Sequence, residues 1–168
     1  MSKSEITLEE IYLNELNEKN DWFSLSIQYN LSEKIIEEFQ DKVNWHYISI
    51  HQKLSEQFIE KFANKVDWDC ISRCQKISEH FMDKHFNELN STLLLNYKQL
   101  SEEFIEKFKR NLDWSNIFYC QELSEEFIIK NKYRFRFKIN RDLFMANNKL
   151  PDSLKEKISK NYLKDWKN

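Results

Sequence analysis

Residues 100–122 read LSEEFIEKFKRNLDWSNIFYCQE, and near-copies of this stretch lie on both sides of it. Aligned on the leading Leu-Ser-Glu, the same slot returns as Leu31, Leu54, Ile77, Leu100 and Leu123, always 23 residues apart. A constant spacing of this length marks a repeat array, in which each copy is one supersecondary unit. Working outward, Leu8 stands one step before Leu31, so repeats are expected to start near residues 8, 31, 54, 77, 100 and 123.

Each repeat carries two helix starts. Ser32, Ser55, Ser78, Ser101 and Ser124 follow the leading apolar residue and precede an acidic residue, the pattern of an N-cap with negative charge at the positive helix end. Thr7 is the expected cap of the first repeat. The apolar residues then fall as in Phe58, Ile59 and Phe62, which share one helical face. This predicts a helix A, about 15 Å long at roughly 1.5 Å per residue. The chain has no glycine, so Asn64, Asn87 and Asn111 are expected to end these helices.

Asp21, Asn44, Asp67, Asn90 and Asp113 share the second start. They predict N-caps of a shorter helix B, whose core residues are Trp22, Trp45, Trp68 and Trp114 with Leu25, Ile48, Ile71 and Ile117 three positions on. Two short helices cannot bury an apolar face alone, so neighbouring repeats must stack over one core. The expected fold is therefore all-α, an α-solenoid of short helix pairs forming a single domain over residues 1–168, with a C-terminal capping helix near 150–166 opened by Pro151.

Composition narrows the function. With no glycine and one proline, a phosphate-cradling Gly loop is excluded. No apolar run is long enough to span a membrane and the first residues are acidic and amphipathic, so a cytoplasmic protein is expected. Cys70, Cys74 and Cys120 are expected to be reduced thiols. Cys70 and Cys74 beside His46 or His51 lack the paired spacing of a zinc site, and no acid/base couple stands out. Neither metal, cofactor nor enzymatic activity is expected.

Two features depart from the scaffold. Around residues 130–141 the 23-residue spacing fails, and Lys132, Arg134, Arg136, Lys138 and Arg141 interleave with Tyr133, Phe135 and Phe137. This alternation predicts a short extended insert near 131–139. Residues 123–168 hold 12 Lys/Arg against 6 Asp/Glu, whereas residues 1–122 hold 14 against 22, so the basic third suits an acidic protein or a nucleic acid. The same alternation also suits a half-buried segment with its aromatic residues inward. The second feature is the set of slots after the helix B tryptophan, which vary freely where capping and core slots do not. These slots make Phe23, His46, Tyr47, Ile50, Arg73 and Tyr119 candidate contact residues for a partner protein.

The motif L-S-E-x-F-I-E-K-F-x-x-x-V-D-W-x-x-I-S, clearest in residues 54–72 and 100–115, resembles a short helical repeat of proteins of large DNA viruses, phages and bacteria. The resemblance covers residues 8–126 and implies stacked helix pairs. It further implies a viral or phage origin, a place in the host cytoplasm, and a role in binding and inhibiting a host or defence factor. It carries no catalytic residue.

Overall fold

The computed structural model describes residues 22–28, 30–136 and 138–162. Within them every regular element is helical. The B helices are α1 (Trp22–Gln28), α3 (Trp45–His51), α5 (Trp68–Cys74), α7 (Ser91–Tyr97) and α9 (Trp114–Cys120). They alternate with the A helices α2 (Glu33–Glu38), α4 (Glu56–Lys61), α6 (Glu79–Lys84), α8 (Glu102–Phe108) and α10 (Glu125–Lys130). A 3-10 turn at Lys132–Arg136, α11 (Lys138–Ala146) and α12 (Asp152–Tyr162) follow. The expected α-solenoid is thus the observed fold. The chain divides into two compact units, Met1–Ile77 and Ser78–Asn168.

The capping residues act as the sequence predicts. Ser32, Ser55, Ser78, Ser101 and Ser124 each accept from the backbone N–H three residues on; Asn44, Asp67 and Asn90 do the same for the B helices, and Asp113 accepts from the Ser115 N–H two residues on. Each such cap contributes about 1 kcal/mol. Asp21 and Thr7 lie outside the described residues.

Helix A is shorter than expected, six or seven residues, or about 10 Å at the usual rise. It stops before the asparagines. Phe39, Phe62 and His85 form the C-caps with φ of −108°, −113° and −112°, so no left-handed residue is needed there. Tight turns then carry the chain to helix B, as where Phe62 O accepts from Lys65 N–H at 2.8 Å and Val66 N–H at 3.0 Å.

B helices stack on B helices, α1 on α3 and α3 on α5 in the N-terminal unit, α7 on α9 and α9 on α11 in the C-terminal one. Leu25, Ile48, Ile71, Leu94 and Ile117 are at most 1% exposed, each worth roughly 1.5–3 kcal/mol of burial. The repeat that lacks tryptophan buries Leu95 where the preceding repeats have a serine, while Phe86, one place beyond the usual phenylalanine slot, stacks on Phe108 at 3.8 Å.

Hydrogen bonds join repeat to repeat. Gln52 and Gln75 in the N-terminal unit and Gln121 in the C-terminal unit each take a backbone N–H on the amide oxygen, from Leu31, Leu54 and Leu100 at 2.9, 3.1 and 2.9 Å. Their NH2 groups donate to carbonyls of the preceding B helix, such as Ser49 O at 2.9 Å and Leu95 O at 2.6 Å. On the A side a charge ladder forms between repeats: Lys61 with Glu37, Lys107 with Asp83 and Lys130 with Glu106 at 2.5, 2.6 and 3.4 Å. These exposed pairs are each worth well under about 1 kcal/mol.

The extended insert expected near 131–139 is instead the 3-10 turn, because the 23-residue spacing persists further than the sequence suggests. Lys42, Lys65 and Arg134 share one slot, and each places its cation over the tryptophan 20 residues earlier, at 5.1, 5.9 and 4.6 Å. Four residues enter only after Arg134: Asn140 and the fully buried Phe144 follow Asp113 and Ile117 by 27 residues. Asn147 then takes the glutamine's task, donating to Phe118 O and Gln121 O at 2.8 Å.

At the C-terminal end, α12 sits in the place of a helix A. Lys157 pairs with Glu125 at 2.7 Å, whereas the equivalent Glu79 and Glu102 accept from the Ser cap of the following repeat. Lys155 is buried, its ammonium held by Asp152 at 2.7 Å and the Asn147 carbonyl at 3.1 Å.

Candidate functional site

Stacking the B helices sets the second helical residue of one repeat against the N-cap and third helical residue of the next. What stands at those places decides the local chemistry. Between α1 and α3 the residues are Phe23, Asn44 and Tyr47, and the Phe23 and Tyr47 rings meet edge to face at 4.8 Å. Tyr47 also touches His46 at 5.3 Å and stacks on His51 at 6.2 Å. Four rings from two helices thus form one contiguous patch. Phe23 keeps 53% of its surface exposed and the His46 side chain a similar share.

Between α3 and α5 the same three places hold His46, Asp67 and Cys70. His46 Nδ1 lies 2.7 Å from Asp67 Oδ2 and 3.6 Å from Cys70 Sγ. Asp67 Oδ1 meanwhile caps α5 through the Cys70 N–H at 3.0 Å. Partial burial works to raise the Asp67 carboxyl, but the hydrogen bonds from His46 and Cys70 outweigh it and hold the group below its ordinary value. Burial, with the Asp67 carboxylate beside it, pushes the Cys70 thiol up to about 11. The three side chains are not wired as a nucleophilic triad. Asp67 and Cys70 approach the same imidazole nitrogen, whereas a triad needs the orienting carboxylate and the nucleophile on opposite nitrogens.

The structure brings together some of the residues singled out from sequence and separates others. Phe23, His46 and Tyr47 share the aromatic patch. Ile50 lines a cleft nearby with His51, Lys53 and Lys76, and Arg73 is exposed on α5. Tyr119 belongs to the C-terminal unit, where it is 47% exposed.

In the basic segment, Arg134 is half-buried, its guanidinium lying 4.6 Å from the Trp114 ring and 4.9 Å from Tyr133. Its backbone carbonyl accepts from Asn140 at 2.8 Å. Lys132 lies 5.3 Å from the Tyr162 ring, and Tyr133 is 48% exposed. Arg141 is partly buried and engaged within the chain. The side chains of Phe135, Arg136 and Lys138 lie outside the described residues.

Two features escaped sequence reasoning. The sequence sets Cys70 beside His46 only to reject the pair for want of metal-site spacing and gives Asp67 a capping role alone, so the meeting of all three does not emerge from a comparison of like slots. Its signal is an offset of 21 and 24 residues rather than 23. The glutamine column at Gln52, Gln75 and Gln121 was legible as a recurrent slot but carried no expected role.

Comparison with protein families, with curated proteins and with solved structures finds no match to this chain.

Proposed function

We propose that this chain is a non-enzymatic interaction module that binds a partner protein through the B-helix face of its N-terminal unit. The observation that carries the reading is the contiguous patch of Phe23, Tyr47, His46 and His51, which keeps large rings at the surface although the fold has a packed core beside them. Exposed aromatic clusters are what protein interfaces use as anchors. The resemblance to viral and phage repeat proteins makes a host or defence factor the partner class, met in the host cytoplasm. Among the described residues no helix is long and apolar enough to cross a membrane.

The nucleic-acid alternative draws less support. Lys130, Lys132, Arg134, Lys155 and Lys157 of the basic third are each engaged by a carboxylate, a ring or a carbonyl of the same chain. That leaves fewer charges for phosphate.

The test uses residues the chain itself accepts in the same slots: Phe23→Thr, as Thr92, and Tyr47→Asn, as Asn116. The double variant should keep the wild-type helical spectrum and melting behaviour while losing proteins that crosslink to the wild type in extracts of the source cell. The same crosslinked set from both proteins would refute the reading. A partner lost only on reversing Arg136 and Lys138 would move the interface to the C-terminal third.

A further inference from the structure

We infer that His46, Asp67 and Cys70 form a binding site for a divalent transition-metal ion of the zinc class, bridging α3 and α5. The inference stands independently of the aromatic patch as a docking surface.

The donor set comes first. Among the described residues this is the group of His, Cys, Asp or Glu side chains whose ligand atoms come together, all within 4.8 Å of one another. It supplies one imidazole nitrogen, one carboxylate oxygen and one sulfur. Nitrogen and sulfur together select zinc, cobalt and their neighbours over magnesium or calcium, which take oxygen donors.

The geometry is close to what such an ion needs. In a tetrahedral site with bonds of about 2.0–2.3 Å, ligand atoms lie roughly 3.3–3.7 Å apart. The Cys70 Sγ to His46 Nδ1 separation of 3.6 Å already matches that edge. The His46 Nδ1 to Asp67 Oδ2 distance of 2.7 Å is that of a hydrogen bond and must widen by about half an ångström as the ion replaces the shared proton. His46 is exposed, so its ring has room for the adjustment. On binding, Cys70 coordinates as thiolate and releases its proton to solvent, and His46 coordinates through the Nδ1 lone pair with its remaining proton on Nε2.

The scaffold explains how the group is held. Asp67 and Cys70 are the N-cap and third residue of one helix, fixed by the cap bond between them. His46 is delivered by the neighbouring B helix. The equivalent places hold Phe23, Asn44 and Tyr47 in the preceding repeat, which have no such donor set. The stacking geometry is therefore common to both repeats and the ligand chemistry belongs to one. With three protein ligands and an exposed histidine, the remaining coordination positions face solvent, where water completes the shell.

The same comparison supplies two variants that spare the fold, His46→Phe as in Phe23 and Asp67→Asn, which keeps a capping side chain as in Asn44; Cys70→Ala is the third. The full chain, untagged and reduced, would be titrated with cobalt(II) and followed by absorption. Saturation at one ion per chain is expected, with a thiolate-to-cobalt charge-transfer band and d–d bands of tetrahedral intensity that zinc abolishes by displacement. Cys70→Ala should remove the charge-transfer band, and His46→Phe and Asp67→Asn should each weaken binding at least about tenfold. Cys74→Ala and Cys120→Ala should leave the spectrum unchanged. Absence of saturable binding overturns the proposal. So does a thiolate band that survives Cys70→Ala or follows Cys74 or Cys120, and so does unchanged affinity in the His46 and Asp67 variants.

Discussion

One slot is filled by Ser26, Ser49 and Ser72 in the N-terminal unit and by Leu95 and Phe118 in the C-terminal unit. The serines are fully buried, and each hydroxyl donates to the tryptophan carbonyl of its own helix at 2.7–2.8 Å. Ser26 and Ser49 also accept the next cap's backbone N–H at 3.2 and 3.0 Å. In the C-terminal unit the slot is apolar, and Phe118 packs on Trp114 at 5.6 Å and Phe144 at 6.2 Å. The glutamine slot, by contrast, returns in both units as Gln52, Gln75 and Gln121, with Lys98 in the repeat between, and its task passes to Asn147 even after four residues have been inserted. Where a glutamine serves several backbone groups of neighbouring repeats, its loss leaves more than one of them without that partner. The serine, with one bond in its own helix and at most one to the next repeat, yields to packing in the C-terminal unit.

The largest expected effect is therefore at the glutamines. Gln121→Leu leaves the Leu100 N–H and the Leu95 and Lys98 carbonyls without this partner. It should destabilise the chain by about 2–4 kcal/mol in urea denaturation. A loss no larger than that of a serine variant would break the distinction. Ser49→Ala should cost less, about 1–2 kcal/mol by the same measurement, since it strands one part-buried donor, the Asp67 N–H, where Gln121→Leu strands three groups.

The smallest effect concerns acid. Asp67 in the N-terminal unit is held below its ordinary value as described above, and Glu106 in the C-terminal unit is held below its own by the Lys109 hydrogen bond, reinforced by Lys130. Depressed carboxyls contribute stability that is complete above their unfolded values, about 3.9 and 4.3, and is lost as pH falls through the lower folded values. Asp67→Asn should flatten part of the acid limb of a stability–pH curve, by no more than about 1 kcal/mol. An unchanged slope below pH 4 would show that His46 and Cys70 do not favour the charged carboxylate.

Much of this fold was legible because capping and stacking reuse the same residues every 23 positions. Ser101 and Asp113 announce their helices whatever lies around them. Helix length was not legible, since Phe62 both fills the core and turns the chain, and no residue type signals that double use. Arg134 stands in an alternating basic stretch that hides its register: it shares the slot of Lys42 and Lys65 and lies over a tryptophan as they do. The aromatic patch was half legible, because variable slots pointed to Phe23 and Tyr47 without showing that their rings meet. The His46–Asp67–Cys70 group needed the offset between stacked helices, which only the packed structure supplies.

The bonds that join repeats have a consequence for how such a protein changes over generations. Within each unit they link residues at fixed separations: 24 for Lys61 with Glu37, and 26 for Gln121 with the Leu95 carbonyl. An in-frame duplication of a repeat that carries both the glutamine and the ladder charges, such as residues 54–76, therefore recreates these separations at the new junction, whereas the repeat with Lys98 in the glutamine slot does not. Array length becomes adjustable by recombination alone, with each added copy bringing a fresh set of variable surface slots.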